Sequence, residues 1–276
     1  MSTRILYEKI PCGVLLKSPL FDLAATLDCG QAFRWVEKSE NEWRGVAFSR
    51  ALTLKKTENG IEFLGTTAED FENIWVDYFD LNRDYGTLCE RFMQDSHLKT
   101  AVTACSGIRV LHQEPWEAIC SFIISANNNI PRIKGIIDRL CRLFGDDLGN
   151  GDFSFPSAEK IAAAGIDALA PIRSGFRAKY IIDAAEKISK GEIDFEKIRT
   201  SSLCDARDEL IKIKGVGEKV AQCAMLYGFG KADAFPVDVW VKRIVEELYP
   251  NGLPECMGEE KGIAQQYLFH WRRTVV

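Results

Sequence analysis

The sequence predicts an α+β fold: an antiparallel β-sheet domain at the N-terminus and a mostly α-helical domain after it. Two observations carry this expectation. Between Gly30 and Leu64, short alternating runs of apolar and polar residues are split by close polar turns, the pattern of paired antiparallel strands. From Thr67 onward, apolar residues recur at helical spacing in one segment after another. The period changes near Thr67, and the domain division is expected near residue 90, giving a sheet domain at 1–90 and a helical domain at 91–276.

Composition agrees with such a chain. Of 276 residues, 46% are hydrophobic and 27% charged, which suits a soluble globular protein with a sizeable core. No apolar run approaches the roughly 18 residues that a membrane span needs. The start, MSTRILYEKIPCGV, lacks the apolar core of a secretory signal. Nine cysteines stand singly, without a C-x-x-C pair, and the three histidines are far apart. This favours a reduced intracellular protein over a disulfide framework or a zinc site. The net charge of −5 argues mildly against a generic nucleic-acid binder. Screening limits the reach of charge to about 8 Å, so local basic patches remain compatible with it.

In order along the chain, Phe21–Asp28 is expected as a short helix and Gly30–Trp35 as a strand. Further strands are expected at Glu42–Phe48, Ala51–Lys56 and Ile61–Leu64. Thr67-Ala68-Glu69-Asp70 resembles a capping box opening a helix that carries Phe71, Ile74, Trp75 and Tyr78. Helical patterns follow at Tyr85–Gln94, Ser96–Cys105, Pro115–Ser125, Pro131–Phe144 and Ser157–Ala164. Five more lie at Ala178–Lys190, Asp205–Ile213, Lys219–Tyr227, Val239–Leu248 and Glu259–Arg273.

The stretch Leu203–Tyr249 holds the chemistry-bearing pattern. Two helices flank Lys214-Gly215-Val216-Gly217, with the hairpin spanning 203–227. The two glycines permit a tight turn and leave bare N–H groups at a helix start, where an anion such as a DNA phosphate is favoured. A plain helix–turn–helix corner uses the same glycines. Lys219 stands in the first helical turn, where the dipole disfavours a cation. Surface solvation is the usual fate of such a lysine. Partial burial would lower its pKa and supply a neutral amine for Schiff-base chemistry. Asp238 follows Pro236-Val237 as a helix N-cap, and its carboxylate is also suited to stabilising a cationic transition state.

With these residues in view, the chain resembles the helix-hairpin-helix glycosylases, and more closely the eukaryotic-type 8-oxoguanine DNA glycosylase family. The resemblance runs from about Asp28 to Phe269. It implies an N-terminal antiparallel sheet domain and two helical lobes with DNA between them. It implies a bifunctional glycosylase and AP lyase that flips 8-oxoguanine out of damaged double-stranded DNA, preferably opposite cytosine. A monomer without cofactor or metal is expected. In that family the hairpin lysine, matched by Lys219, attacks the sugar C1′, expels the base and leaves an imine that permits β-elimination. Asp238 matches the aspartate that stabilises the positive charge developing at the sugar. Gly215, Val216 and Gly217 are the expected backbone contacts to DNA.

The resemblance assigns further roles. In Cys120–Ile133, Asn127 and Arg132 match residues that contact the cytosine left unpaired by flipping, whose O2 and N3 accept from arginine donors. In Ile172–Tyr180, Phe176 matches the wedge that fills the gap in the stack and Arg177 the second cytosine-reading arginine. Gly30 matches a glycine whose carbonyl accepts from N7–H of the oxidised guanine; ordinary guanine has an acceptor there. Gln265 and Phe269, four apart on one helix face, match the glutamine on the base's Watson–Crick edge and the phenylalanine stacked on it. Cys223 matches the cysteine on the other face. Three positions depart from the eukaryotic pattern: Phe176 replaces a tyrosine, Trp240 a phosphate-contacting histidine and Tyr227 a pocket methionine.

Other readings use part of the same pattern. Glycosylases for adenine or oxidised pyrimidines usually carry a four-cysteine iron–sulfur site, but only Cys256 lies beyond Cys223. Alkylated-base glycosylases generally lack the hairpin lysine. A non-catalytic DNA-binding module would need neither the Lys219–Asp238 pair nor Asn127, and a scaffold for a partner protein would need no pocket residues.

Overall fold

The computed structural model describes residues 5–17 and 20–274. Its N-terminal layer is a six-stranded sheet in the order β1–β2–β6–β5–β4–β3, every neighbouring pair antiparallel. The strands are β1 (Tyr7–Ile10), β2 (Gly13–Leu16), β3 (Trp35–Ser39), β4 (Glu42–Ala47), β5 (Arg50–Thr57) and β6 (Gly60–Leu64). Alternation along β4, β5 and β6 sends Trp43, Leu52, Leu54, Ile61 and Phe63 to one buried face. There they meet Phe71, Trp75 and Phe79 from the following helical stretch. Indole N–H groups that enter this core are satisfied: Trp35 donates to the Tyr78 hydroxyl at 2.8 Å and Trp75 to Thr66 Oγ1 at 2.9 Å.

The expected strand over Gly30–Trp35 is not formed; β3 begins only at Trp35. Gly30 takes the left-handed φ of 87°, which breaks the extended run. The buried Gln31 side chain then does what a ladder partner would do. Its Nε2 donates to the carbonyls of Thr26 and Arg109, each at 2.8 Å, and its Oε1 accepts from the Leu111 N–H at 2.9 Å. Its own carbonyl accepts from Gln113 Nε2 at 2.7 Å. Side-chain bonding thus satisfies a segment whose alternation imitates a strand.

The helices are α1 (Leu23–Leu27), α2 (Ala68–Asp70), α3 (Val76–Tyr78), α4 (Tyr85–Phe92), α5 (Ser96–Ala104), α6 (Pro115–Ser125) and α7 (Ile130–Phe144). After a small hairpin, β7 (Asp147–Gly149) and β8 (Asp152–Phe153), come α8 (Ala158–Ala168), α9 (Ala178–Ser189) and α10 (Phe195–Thr200). The chain ends with α11 (Leu203–Leu210), α12 (Glu218–Phe229), α13 (Val239–Leu248) and α14 (Lys261–Thr274). A π-turn, Phe71–Trp75, joins α2 to α3. Thr67 caps α2 by accepting from the Asp70 N–H. The β1–β2 hairpin, the β7–β8 hairpin and α10 are absent from the expectations drawn above. Helix α8 continues beyond Ala164 across one extended residue, Gly165 at φ 75° and ψ 172°.

Polar ties fasten the sheet layer to the helices. Arg34 pairs with Glu117 of α6 at 3.2 Å, and Arg44 donates to Asp152 of the β7–β8 hairpin at 3.0 Å. Burial pushes the Glu117 carboxyl up to about 7, against the downward pull of Arg34. Buried Arg109 donates to the carbonyls of Leu20 at 3.0 Å and Asp80 at 2.8 Å. The Arg34–Glu117 pair ties the chain just after Gly30 to α6, and Lys134 of α7 donates to Asp28 just before it at 2.8 Å.

Candidate active site

The hairpin is built by α11, a tight turn and α12. Gly215 makes the turn: its φ is 84°, and a Cβ there would sit 2.4 Å from the Tyr180 ring. Gly217 does not share that burden, because its φ of −101° is ordinary and nothing lies within 4 Å of a Cβ added there. Its lack of a side chain instead leaves the start of α12 uncapped and its first-turn amides bare. Val216 differs from the expected backbone contact. It is buried, and its N–H is already bonded to the Ile213 carbonyl at 3.1 Å. The outward amides of the turn are those of Gly215 and Gly217, which have no internal partner among the described residues.

Lys219 projects from the first turn of α12, half-buried. Its Nζ lies 3.5 Å from Ser125 Oγ and 5.4 Å from the centre of the Phe122 ring. Asp238 caps α13, and its Oδ1 accepts from the N–H groups of Trp240 at 2.9 Å and Val241 at 2.8 Å. Both residues line one cavity of about 830 Å³, together with Gly30, Asn127, Phe269 and Trp240. The fold therefore brings the lysine of one helix, the cap of the next and the glycine of the sheet layer to a common space.

Two expected pocket residues lie outside that lining. Cys223, one turn after Lys219, is buried, and burial pushes its thiol up to about 11 although Lys219 pulls it down. At neutral pH it is an uncharged, apolar neighbour of the lysine. Gln265 is only 4% exposed, and its Oε1 has no hydrogen-bond partner. Leaving such an acceptor unpaired costs about 1–3 kcal/mol, and Ser174 Oγ and Gln266 Nε2 are unpaired in the same way. Phe269 stands one turn further along α14, with the Arg273 guanidinium 5.2 Å from its ring centre.

In the cavity lining, Asn127 stands two residues beyond the end of α6 at the left-handed φ of 50°, exposed. Arg132 is exposed in the first turn of α7, whose cap is Asn129. Phe176 is 55% exposed. Arg177 is not the free reader the resemblance suggests. It is 3% exposed, and its Nε and Nη2 donate to the Ala126 carbonyl at 3.0 and 2.5 Å. Nη2 also reaches the Asn127 carbonyl at 2.9 Å, and Nη1 reaches that of Ser174 at 3.3 Å. The guanidinium stacks 4.5 Å from the Phe176 ring centre. In this conformation Arg177 fixes the Asn127 loop, with most of its donors already engaged.

The departures have local explanations. Tyr227 stacks on Phe122 at 5.3 Å and 18°, and its hydroxyl donates to Gln266 Oε1 at 2.6 Å. Trp240 is 45% exposed at the cavity mouth, with the Arg243 guanidinium 5.7 Å from its ring. Sequence reasoning missed Ser125 and Phe122 beside the lysine, and Gln266 beneath Tyr227. A polar residue at the end of an apolar helix was the one available signal for Ser125.

A glycine hairpin that sets a lysine beside an aspartate cap, on a frame of antiparallel sheet and helices, defines a helix-hairpin-helix base-excision domain. Comparison with known proteins agrees. Residues 14–119 match the family model for the 8-oxoguanine DNA glycosylase N-terminal domain, and 120–255 match that for the HhH-GPD superfamily of base excision DNA repair proteins. The chain is 32% identical to the N-glycosylase/DNA lyase of Saccharomyces cerevisiae, over 82% of its own length and 68% of the yeast protein's. It is 31% identical to a probable N-glycosylase/DNA lyase of Methanothermobacter thermautotrophicus, covering 92% of this chain and 94% of that one. The solved structure of Clostridium acetobutylicum 8-oxoguanine glycosylase/lyase, in complex with DNA containing cytosine opposite 8-oxoguanine, superposes with a TM-score of 0.92. Sequence identity there is 36%, over 98% of this chain and 99% of that one. The chain belongs to the 8-oxoguanine DNA glycosylase family.

Proposed function

We propose that this protein is a bifunctional DNA glycosylase and AP lyase that removes 8-oxoguanine from duplex DNA, preferably opposite cytosine. The observation that supports it most is the convergence of Lys219, Asp238, Gly30 and Phe269 on one cavity. The Lys219 amine attacks C1′ of the flipped nucleotide, giving up an N–H proton as the C–N bond forms, and the glycosidic electron pair leaves with the base. The Asp238 carboxylate, held by two amides, faces the positive charge that builds at the sugar. Loss of the sugar ring oxygen from C1′ gives the imine, and loss of the C2′ proton then expels the 3′ phosphate. Gly30 supplies the carbonyl that tests N7, Phe269 the stacking face and Gln265 the unpaired amide oxygen for the base edge. Asn127 and Arg132 meet the unpaired cytosine while Phe176 fills the gap. The outward amides of Gly215 and Gly217 meet a backbone phosphate. The enzyme acts as an intracellular monomer and without a cofactor.

Borohydride reduction during turnover tests this reading. It traps a covalent protein–DNA adduct in the wild type and none in Lys219→Gln. Base release and trapping at wild-type levels by Lys219→Gln would remove the lysine from the reaction.

A further inference from the structure

One face of α9 is given over to the hairpin. Tyr180, Asp183 and Lys187 follow one another along it at helical spacing. The Tyr180 ring lies against Gly215 so closely that a Cβ there has no room. Asp183 Oδ2 accepts from the Lys214 backbone N–H at 2.8 Å and from Lys187 Nζ at 2.9 Å. Lys214 Nζ lies 3.4 Å from Asp183 Oδ1, and Lys187 Nζ donates to the Lys212 carbonyl at 2.5 Å. The Asp183 side chain is only 12% exposed, so its bonds to the Lys214 N–H and to Lys187 are sheltered, while the Lys214 ammonium itself stands in solvent. Burial pushes its carboxyl up, but the Lys214 N–H and the Lys187 ammonium more than offset that and hold it below the usual range.

The other end of the same helix carries the exposed Phe176 and the buried Arg177 clamp. Phe176 and Arg177 immediately precede α9, and the Phe176 ring meets the Tyr180 ring at 6.1 Å. Through Arg177 that end also holds the carbonyls of Ala126 and Asn127. A single helix therefore joins the wedge, the Asn127 loop and the turn that launches Lys219.

We propose that Asp183 is a positioning residue for base excision: by binding the Lys214 N–H it fixes the catalytic hairpin on α9 and sets Lys219 in register with the wedge. This rests on the functional reading above. Without the anchor, one lysine-to-carbonyl bond is the polar tie left between the turn and α9 among the described residues, beside the Gly215–Tyr180 contact and the shared apolar core. The first turn of α12 then has room to shift. A misplacement of about 1 Å at a reacting group costs roughly 100-fold in rate.

The test compares wild type, Asp183→Ala and Asp183→Asn on a duplex carrying 8-oxoguanine opposite cytosine. Single-turnover excision is measured at saturating protein, alongside binding to a duplex with a tetrahydrofuran abasic analogue and thermal melting. Asp183→Ala is expected to lose about 10- to 100-fold in single-turnover rate at saturating protein, while it still binds the abasic duplex and stays folded at the assay temperature with a melting midpoint lowered by a few degrees. Asp183→Asn keeps an oxygen where Oδ2 accepts the Lys214 N–H, and its rate is expected to return to near that of the wild type. A wild-type rate in Asp183→Ala overturns the proposal, as does a rate loss matched by loss of folded protein. Equal impairment of both variants also overturns it, since charge and not the N–H anchor would then be the operative feature. An inactive wild type would instead remove the functional reading on which the proposal rests.

Discussion

Asp238→Asn separates the two tasks of Asp238. In the structure one oxygen, Oδ1, accepts both cap hydrogen bonds, at 2.9 and 2.8 Å. Oδ2 makes no hydrogen bond among the described residues. An asparagine can place its carbonyl where Oδ1 stands, and Asn caps a helix about as well as Asp. What remains is the loss of an anion at a helix N-terminus, worth about 0.3–1 kcal/mol. For a chain of this size, 1 kcal/mol moves the melting midpoint by about 2–4 °C. The new NH2 replaces Oδ2 and presents a donor where positive charge develops at the sugar. Removing one preorganised electrostatic partner costs about 100- to 1000-fold in rate. Asp238→Ala loses the cap as well, adding about 1 kcal/mol of destabilisation without a further comparable loss of rate. Single-turnover base release, abasic-duplex binding and thermal melting on the three proteins distinguish these effects. The reasoning is refuted if Asp238→Asn excises within threefold of the wild type, or if the rates follow the melting midpoints.

Three other substitutions test particular contacts. Gly215→Ala forces a left-handed φ, at about 1–2 kcal/mol, and an overlap with the Tyr180 ring, at about 1–3 kcal/mol. Denaturant midpoints are expected to show about 3 kcal/mol for it, against less than about 1 kcal/mol for Gly217→Ala; equal effects would contradict the geometry. Glu209 is buried between Lys197 and Lys212, each at 2.8 Å. Burial pushes its carboxyl up, but the two lysines override that and hold it at about 2, below the ordinary 4.5. Its contribution is therefore present above about pH 4.5 and lost as pH falls toward about 2. Glu209→Gln is expected to cost about 2 kcal/mol at neutral pH, with the gap closing through that acid window; a pH-independent gap in urea midpoints would disprove it. Arg132→Ala removes an exposed side chain and is expected to leave stability within about 0.5 kcal/mol. The same change should reduce the preference for cytosine over other opposite bases by about tenfold, read from excision rates on four duplexes.

The longer helices were legible because each buries a stripe whose spacing survives in the residue types, whereas α10, with Ile198 its one buried residue, offers no stripe. Ser157–Ala164 was read to the residue before the extended Gly165, since glycine marks the break in sequence as in space. Gly30–Trp35 was misread because its alternation serves a buried glutamine and not a strand partner. The edge strand β1 has only four residues with exposed centres, too little pattern to register. At the site, Lys219 and Asp238 were visible as residue types in telling positions, but their shared cavity was not. Arg177 was visible as a charge and not as a clamp, because its partners are backbone carbonyls. Asp183 left no signal at all: an aspartate on an amphipathic helix reads as solvated, and its partner is an amide thirty-one positions away.

The hydrogen bonds around Gln31 bear on how the cavity measures its guest. From the Gly30 segment, bonds run through Gln31 to Gln113, and the Gln113 N–H ends on the Tyr227 carbonyl at 2.7 Å. Tyr227 lies two turns along α12 from Lys219. The Gly30 side of the cavity and the helix that carries Lys219 are thus joined by a buried thread of hydrogen bonds. Each lost bond along it costs about 1–3 kcal/mol. A change at Gln31 or Gln113 therefore reaches both the Gly30 side of the cavity and the Lys219 helix at once.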